Sequence, residues 1–130
     1  MIVGIGVDIV EVARIRSGFA RFGMRLARRI LAEEELALFE RARNAEKFLA
    51  MRFAAKEAAS KALGTGFRRG VSPGRIAVRH APSGKPSLAF SPALAPLLAE
   101  LEVGDSHVSM ADEREYAIAY VVLERQAARR

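Results

Sequence analysis

No cysteine occurs in the 130 residues. That removes disulfides, thiolate catalysis and cysteine-ligated zinc together, and it suits a reducing compartment, so a cytoplasmic location is expected. Tryptophan is also absent and only two tyrosines are present, which leaves few rings on which nucleic-acid bases could stack. Histidine is limited to His80 and His107, neither with a second candidate ligand four residues away. A histidine metal site or a serine–histidine relay therefore has little support. The longest unbroken apolar run, Tyr116 to Leu123, covers eight residues, against the roughly 20 that a membrane-spanning helix needs. No membrane partner is expected. Asp8 interrupts the first apolar stretch with no basic residue before it, which argues against a secretory leader. There is no repeat, Pro-rich linker or low-complexity tract, and the five prolines stand singly. Residues 1–130 are thus expected to form a single domain.

One further absence is local. Between Val12 and Ala32 there is no acid at all, while Arg14, Arg16, Arg21, Arg25, Arg28 and Arg29 stand in that stretch. It alone carries a charge equal to the net +6 of the chain. Clustered positive charge steers anionic partners and gives salt-sensitive association. A nucleic-acid-binding module is one such reading, an acidic protein partner another, and a merely solvated arginine-rich helix the plainest.

What is present reads as a mixture of helices and antiparallel strands, hence an α+β fold. Ile2 to Val10 alternates as a strand, with Val3, Ile5, Val7 and Ile9 on one face and Gly4, Gly6 and Asp8 on the other. A helix is expected over Val12 to Phe22, stopped by Gly23, and another from about Glu33, where three acids suit a helix N-terminus. The strongest helical signal runs from about Ala45 to Leu63 and ends at Gly64-Thr65-Gly66. Strands are expected at Ile76 to His80 and Ser87 to Phe90, joined by a Pro/Gly turn. A short helix follows, capped by Ser91 with Pro92 at its first position. His107 to Ala111 and Tyr116 to Glu124 read as a closing hairpin.

Two phosphate-binding signatures fail. The third glycine of a dinucleotide fingerprint would fall on Ile9, and Gly84-Lys85 is followed by Pro86 where a P-loop needs Ser or Thr. What remains is an oxygen-ligand site. Phe53, Glu57 and Lys61 share one helical stripe at four-residue spacing, with Arg52 and Lys56 on the neighbouring stripe. On an arbitrary helix that spacing means only a surface ion pair worth a few tenths of a kcal/mol. Here Asp8 stands on a glycine-lined strand face open to a ligand, and the Gly-Thr-Gly amides could meet a phosphate. Two carboxylates from different elements suit a hard cation such as Mg²⁺, which fills its octahedron with waters and substrate phosphates. Phosphoryl transfer is the chemistry that needs such a set. A nucleotide-binding regulator without turnover is the rival that keeps the same site.

The segments Gly4-Ile5-Gly6-Val7-Asp8-Ile9-Val10-Glu11-Val12-Ala13-Arg14-Ile15 and Phe48-Leu49-Ala50-Met51-Arg52-Phe53-Ala54-Ala55-Lys56-Glu57-Ala58-Ala59-Ser60-Lys61-Ala62-Leu63-Gly64-Thr65-Gly66 closely resemble the two signature motifs of the holo-(acyl-carrier-protein) synthase family of 4'-phosphopantetheinyl transferases. The likeness extends more loosely through Gly84-Lys85-Pro86 and the last hairpin, covering nearly the whole chain. It implies transfer of the phosphopantetheine arm from coenzyme A to a serine of apo acyl carrier protein, in support of fatty acid biosynthesis. By the same resemblance Asp8 and Glu57 would bind Mg²⁺, and Lys61 would stand near the pyrophosphate. Arg52, Phe53, Lys61, Gly64, Gly84, Lys85 and Pro86 would contact coenzyme A, while Arg14, Arg21 and Arg25 would dock the carrier protein. Nucleic acid would be no partner. A homotrimer with sites between subunits is implied as well. Ala111-Asp112 departs from the Ser-His that family members often carry, and His107 lies several residues away.

Overall fold

In a computed structural model, which describes residues 1–127, the chain is α+β, as expected. Strand β1 (Ile2–Glu11) leads directly into helices α1 (Val12–Phe22), α2 (Met24–Ile30), α3 (Glu33–Glu40) and the long α4 (Ala45–Leu63). Strands β2 (Ile76–His80) and β3 (Pro86–Phe90) form a hairpin, α5 (Ala95–Glu100) follows, and β4 (Val103–Glu113) and β5 (Tyr116–Arg125) complete the chain. Two antiparallel sheets result, one in the order β1-β5-β4 and the other β2-β3.

Helix α4 is the axis on which everything packs, and local chemistry defines both its ends. The Asn44 side chain accepts a hydrogen bond from the Lys47 amide at 3.0 Å, satisfying one orphan donor of the first turn. Gly64 closes the helix at φ 78°, a left-handed turn that glycine enters without steric cost. Between them Ala50, Ala54, Ala55, Ala58 and Ala59 are fully buried. Such small side chains let the large sheet approach the helix closely. The sheet answers in kind, with Ala117, Ala119, Val121 and Leu123 of β5 facing inward at no more than 1% exposure.

Strand β1 turns Gly4 and Gly6, and not Ile5, Val7 or Ile9, toward that helix. A Cβ on Gly4 would stand 1.9 Å from the Ala62 carbonyl oxygen, and one on Gly6 would stand 2.0 Å from that of Ala58. The bare face is therefore filled by the α4 backbone and is not the open approach for a ligand that alternation alone suggests. Ile5, Val7 and Ile9 consequently point outward at 56%, 47% and 62% exposure. Register aligns them with Val122, Tyr120 and Ile118 of β5, and the last two are exposed as well. One face of the large sheet is thus an open apolar surface.

Two elements exceed expectation. Helix α2 begins immediately after Gly23, which sits at φ 56°; it has no side-chain cap and no acid in its first turn, so nothing in composition announces it. Strand β4 starts at Val103, ahead of His107, because an edge strand tolerates the polar Gly104-Asp105-Ser106 segment. The Ser91 cap forms as expected, accepting from the Ala93 amide at 3.2 Å.

Candidate active site

Asp8 and Glu57 open onto one cleft of about 970 Å³, whose walls include Arg14, Arg28, Phe53 and Phe67. Strand β1 brings Asp8 to it and α4 brings Glu57, elements held in contact by the glycine–alanine packing just described. The Asp8 side chain is only 16% exposed. The Lys61 ammonium donates to Asp8 Oδ1 at 2.9 Å and to the Val7 carbonyl at 3.1 Å, so the lysine of the helical stripe bridges to the strand rather than to Glu57. Burial holds the Glu57 carboxyl above its ordinary pKa, and the Asp8 charge adds to that shift, while Lys61 and Arg14 oppose it. A carboxyl whose ionisation is opposed by burial and by a neighbouring carboxylate forms a site that a cation relieves.

The donor set fits Mg²⁺. Among the described residues no group of three or more His, Cys, Asp or Glu side chains gathers at one point. A pair of carboxylate oxygens, with water and phosphate left to complete the shell, is how that hard ion is commonly held. Phe53 lies in the cleft, with its ring centre 6.5 Å from that of Phe67.

The structure places several of the expected residues differently. Arg52 does not face the cleft. It is 5% exposed, its Nε donates to Glu35 Oε2 at 3.0 Å, and its guanidinium lies 3.9 Å from the centre of the Phe48 ring. Lys56, on the same stripe, is wholly buried. The amides of the Gly64 turn are also taken: Thr65 and Gly66 both donate to the Ser60 carbonyl, and Gly64 donates to that of Lys61. Gly84 and Lys85 are exposed at the tip of the β2–β3 hairpin, and neither they nor Pro86 line their own chain's cleft. Arg14 is part of the cleft wall, closer to the acid pair than a pure docking residue, whereas Arg21 and Arg25 are exposed on α1 and α2 outside it. Asp112, in the segment that departs from the family's Ser-His, pairs with Lys47 at 2.9 Å and so ties the end of β4 to the first turn of α4. His107 pairs with Glu124 at 2.5 Å across the β4–β5 ladder.

Arg28, Arg29 and Phe67 line the cleft without having been singled out. The two arginines belong to the acid-free stretch, a signal that gave charge but not direction. Phe67 follows the glycine turn, and only the fold returns it to Phe53.

Matching residues 4–121, the chain belongs to the 4'-phosphopantetheinyl transferase superfamily. Within it, the chain is 48% identical over 126 residues to the holo-(acyl-carrier-protein) synthase of Vibrio cholerae, covering 97% of this chain and 100% of the relative. The crystal structure of the Neisseria meningitidis synthase superposes with a TM-score of 0.92 at 45% identity, over 96% of this chain and 100% of that one. The Bacillus anthracis synthase, solved in complex with CoA (3',5'-ADP), gives a TM-score of 0.80 at 40% identity, over 98% and 99% of the two chains.

Proposed function

We propose that the Asp8–Glu57 cleft transfers the 4'-phosphopantetheine arm of coenzyme A to a serine of apo acyl carrier protein, releasing adenosine 3',5'-bisphosphate. The serine oxygen forms a new bond to the phosphorus that carries the arm and gives up its proton to the Glu57 carboxylate or to water, and the bond from that phosphorus to the nucleotide phosphate breaks, leaving the electron pair on the nucleotide. The observation that carries the reading is the convergence of Asp8 and Glu57, distant in sequence, on one cleft with Lys61 bonded to Asp8. Asp8 and Glu57 are the residues that would hold Mg²⁺, which when bound neutralises diphosphate charge. Lys61 supplies a second positive group beside the same acid, offsetting charge on the attacked phosphate. Phe53 and Phe67 give the cleft an apolar wall suited to the pantetheine chain. Intact-mass analysis of apo carrier protein incubated with coenzyme A, Mg²⁺ and this protein tests it: the carrier gains the mass of the arm, and an unchanged carrier mass rejects turnover in favour of a nucleotide-binding regulator.

The acidic carrier protein is received on the exposed arginines of α1 and α2. Because Arg14 acts on Glu57, reversing its charge would disturb the acid pair itself. Reversal of Arg21 and Arg25 to Glu isolates docking. The double variant is expected to raise the KM for carrier protein about tenfold or more while leaving that for coenzyme A within about twofold. Raising salt should weaken the parent in the same sense, since exposed charges are screened over roughly 8 Å at physiological ionic strength. Steady-state kinetics with each substrate varied in turn checks both.

The chain is a homotrimer whose contacts form on the outward apolar face of the large sheet, with sites shared between subunits and Gly84, Lys85 and Pro86 serving a neighbour's nucleotide. The exposure of Ile5, Val7, Ile9, Ile118 and Tyr120 supports this reading, since a contiguous apolar patch of that kind marks an interaction surface. A Tyr120→Glu substitution should convert the assembly to monomers in sedimentation velocity and abolish turnover with it. A variant that stays assembled and active counts against this face. The enzyme acts in the cytoplasm, where its carrier-protein substrate and coenzyme A meet; no helix among the described residues is long and apolar enough to cross a membrane.

A further inference from the structure

Behind the cleft lies a cluster that the transfer reaction does not use. The Glu35 carboxylate is fully buried and accepts four hydrogen bonds: from the Ala32 amide at 2.7 Å, Lys56 Nζ at 2.5 Å, Arg52 Nε at 3.0 Å and the Val78 amide at 3.0 Å. One acid therefore joins the start of α3, two side chains of α4 and strand β2. Lys56 goes further, because its Nζ also donates to the Ile30 carbonyl at 2.6 Å. Ile30 is the last residue of α2, and its carbonyl is one of those a helix leaves without an intrahelical partner.

The position of that bond matters. Lys56 directly precedes Glu57 on α4, so its side chain leaves the helix about 100° round from that of Glu57, toward Glu35 and Ile30 and away from the cleft lining. Ile30 directly follows Arg28 and Arg29, and all three line the same cleft as Glu57. Helix α2 has only seven residues and no side-chain N-cap; a helix so short has little stability of its own. Its C-terminal end is fastened by the Lys56 ammonium, whose charge is balanced in turn by Glu35. An ammonium taken wholly out of water is costly unless paired and bonded, and a structural need for burial alone would be met by a leucine.

We propose that Lys56 is a positioning residue: through Glu35 and the Ile30 carbonyl it latches α2 to α4 and so holds Arg28 and Arg29 at the mouth of the cleft, where they receive the acidic carrier protein. The kinetic half rests on the carrier-docking reading given above; the geometric half does not. The diphosphate-binding groups come from β1 and α4, outside the latch. Loss of Lys56 should therefore be felt by one substrate and not the other.

A Lys56→Met substitution keeps most of the volume, removes the charge and leaves Glu35 bonded to Arg52 and two amides. The absence of native cysteine allows spin labels at Met24→Cys and Asp105→Cys, both exposed positions, and their separation within one chain can be read by pulsed electron resonance in the unliganded protein, with labelled chains assembled at high dilution among unlabelled ones. The expected result is a narrow distance distribution in the parent and a broadened or doubled one in the Lys56→Met background. In the unlabelled enzyme, below its melting transition, the KM for carrier protein should rise about tenfold with kcat and the KM for coenzyme A within about twofold, the pattern of lost uniform binding. A lysine that merely stabilised the fold would lower the melting temperature and leave the distribution and both KM values alone; that result overturns the proposal. If Lys56→Met does not fold, Lys56→Gln takes its place in both measurements. Failure of both to fold also overturns it, since the lysine then holds the whole fold and not one helix. A parent without carrier-dependent transfer rejects the docking reading alone, and the distance measurement still decides the latch.

Discussion

A Glu57→Gln variant is expected to transfer the arm at least about a hundredfold more slowly than the parent, read by the rate at which carrier protein gains mass. The substitution keeps the shape and one acceptor oxygen but removes a charge from the pair that would hold the cation. Its effect on the fold should run the other way. Glu57 has its pKa raised in the folded protein, chiefly by burial and then by Asp8, so its ionisation opposes folding. In the metal-free parent that opposition is absent at low pH and grows as pH rises from the unfolded-state pKa through the folded-state one. The Gln variant has no such penalty, so near neutral pH without divalent ions it should melt no lower than the parent. Added Mg²⁺ should raise the parent's midpoint and raise the variant's less, since a ligand stabilises only the state that binds it. A variant that kept parental turnover would falsify the metal role of Glu57.

The second large effect is expected away from the chemistry. Gly6→Ala adds one methyl group, yet that carbon would lie 2.0 Å from the Ala58 carbonyl oxygen and 2.8 Å from the Ala62 amide nitrogen. Both are main-chain atoms of α4 and cannot rotate aside as a side chain could. Either the helix moves off the sheet or β1 buckles, and both routes separate Asp8 from Glu57. A loss of about 3 kcal/mol or more is expected, at the upper end for overpacking, measured by chemical denaturation. Activity should fall as well, even where the variant remains folded. An alanine accommodated at Gly6 without change in stability would show that the helix and strand are not in the close contact described.

Much of the frame is legible in the residues, and what escapes has definable causes. Helix α4 announces itself by alanine content and by Gly64 behind it. The Asp8–Glu57 pairing follows from motif likeness, and the cleft now gives it a place. Periodicity puts Arg52 and Lys56 on one stripe, but it cannot show that the stripe faces Glu35, an acid from another helix that turns two apparently solvent-facing cations into buried ones. Alternation in β1 separates Ile5, Val7 and Ile9 from the glycines and is silent on which set faces inward. Here those three are outside, because a backbone-to-backbone approach needs the glycines within, while Val3, beside the register shift between Ile2 and Gly4, packs partly buried against the core. The Gly-Thr-Gly turn looks like a phosphate cradle in one dimension, yet its amides serve the helix that precedes it. Helix α2 escapes because a run of arginines without cap or acidic first turn carries no boundary signal.

The outward branched residues of β1 and β5 have a consequence for anyone handling this protein. If neighbouring copies cover them, part of the free energy that keeps each chain folded is supplied by association and scales with the logarithm of protein concentration. Thermal midpoints measured at micromolar and nanomolar levels would then differ for the same sequence in the same buffer. Dilution into an assay cuvette becomes a mild denaturing step, and specific activity should fall with time after it.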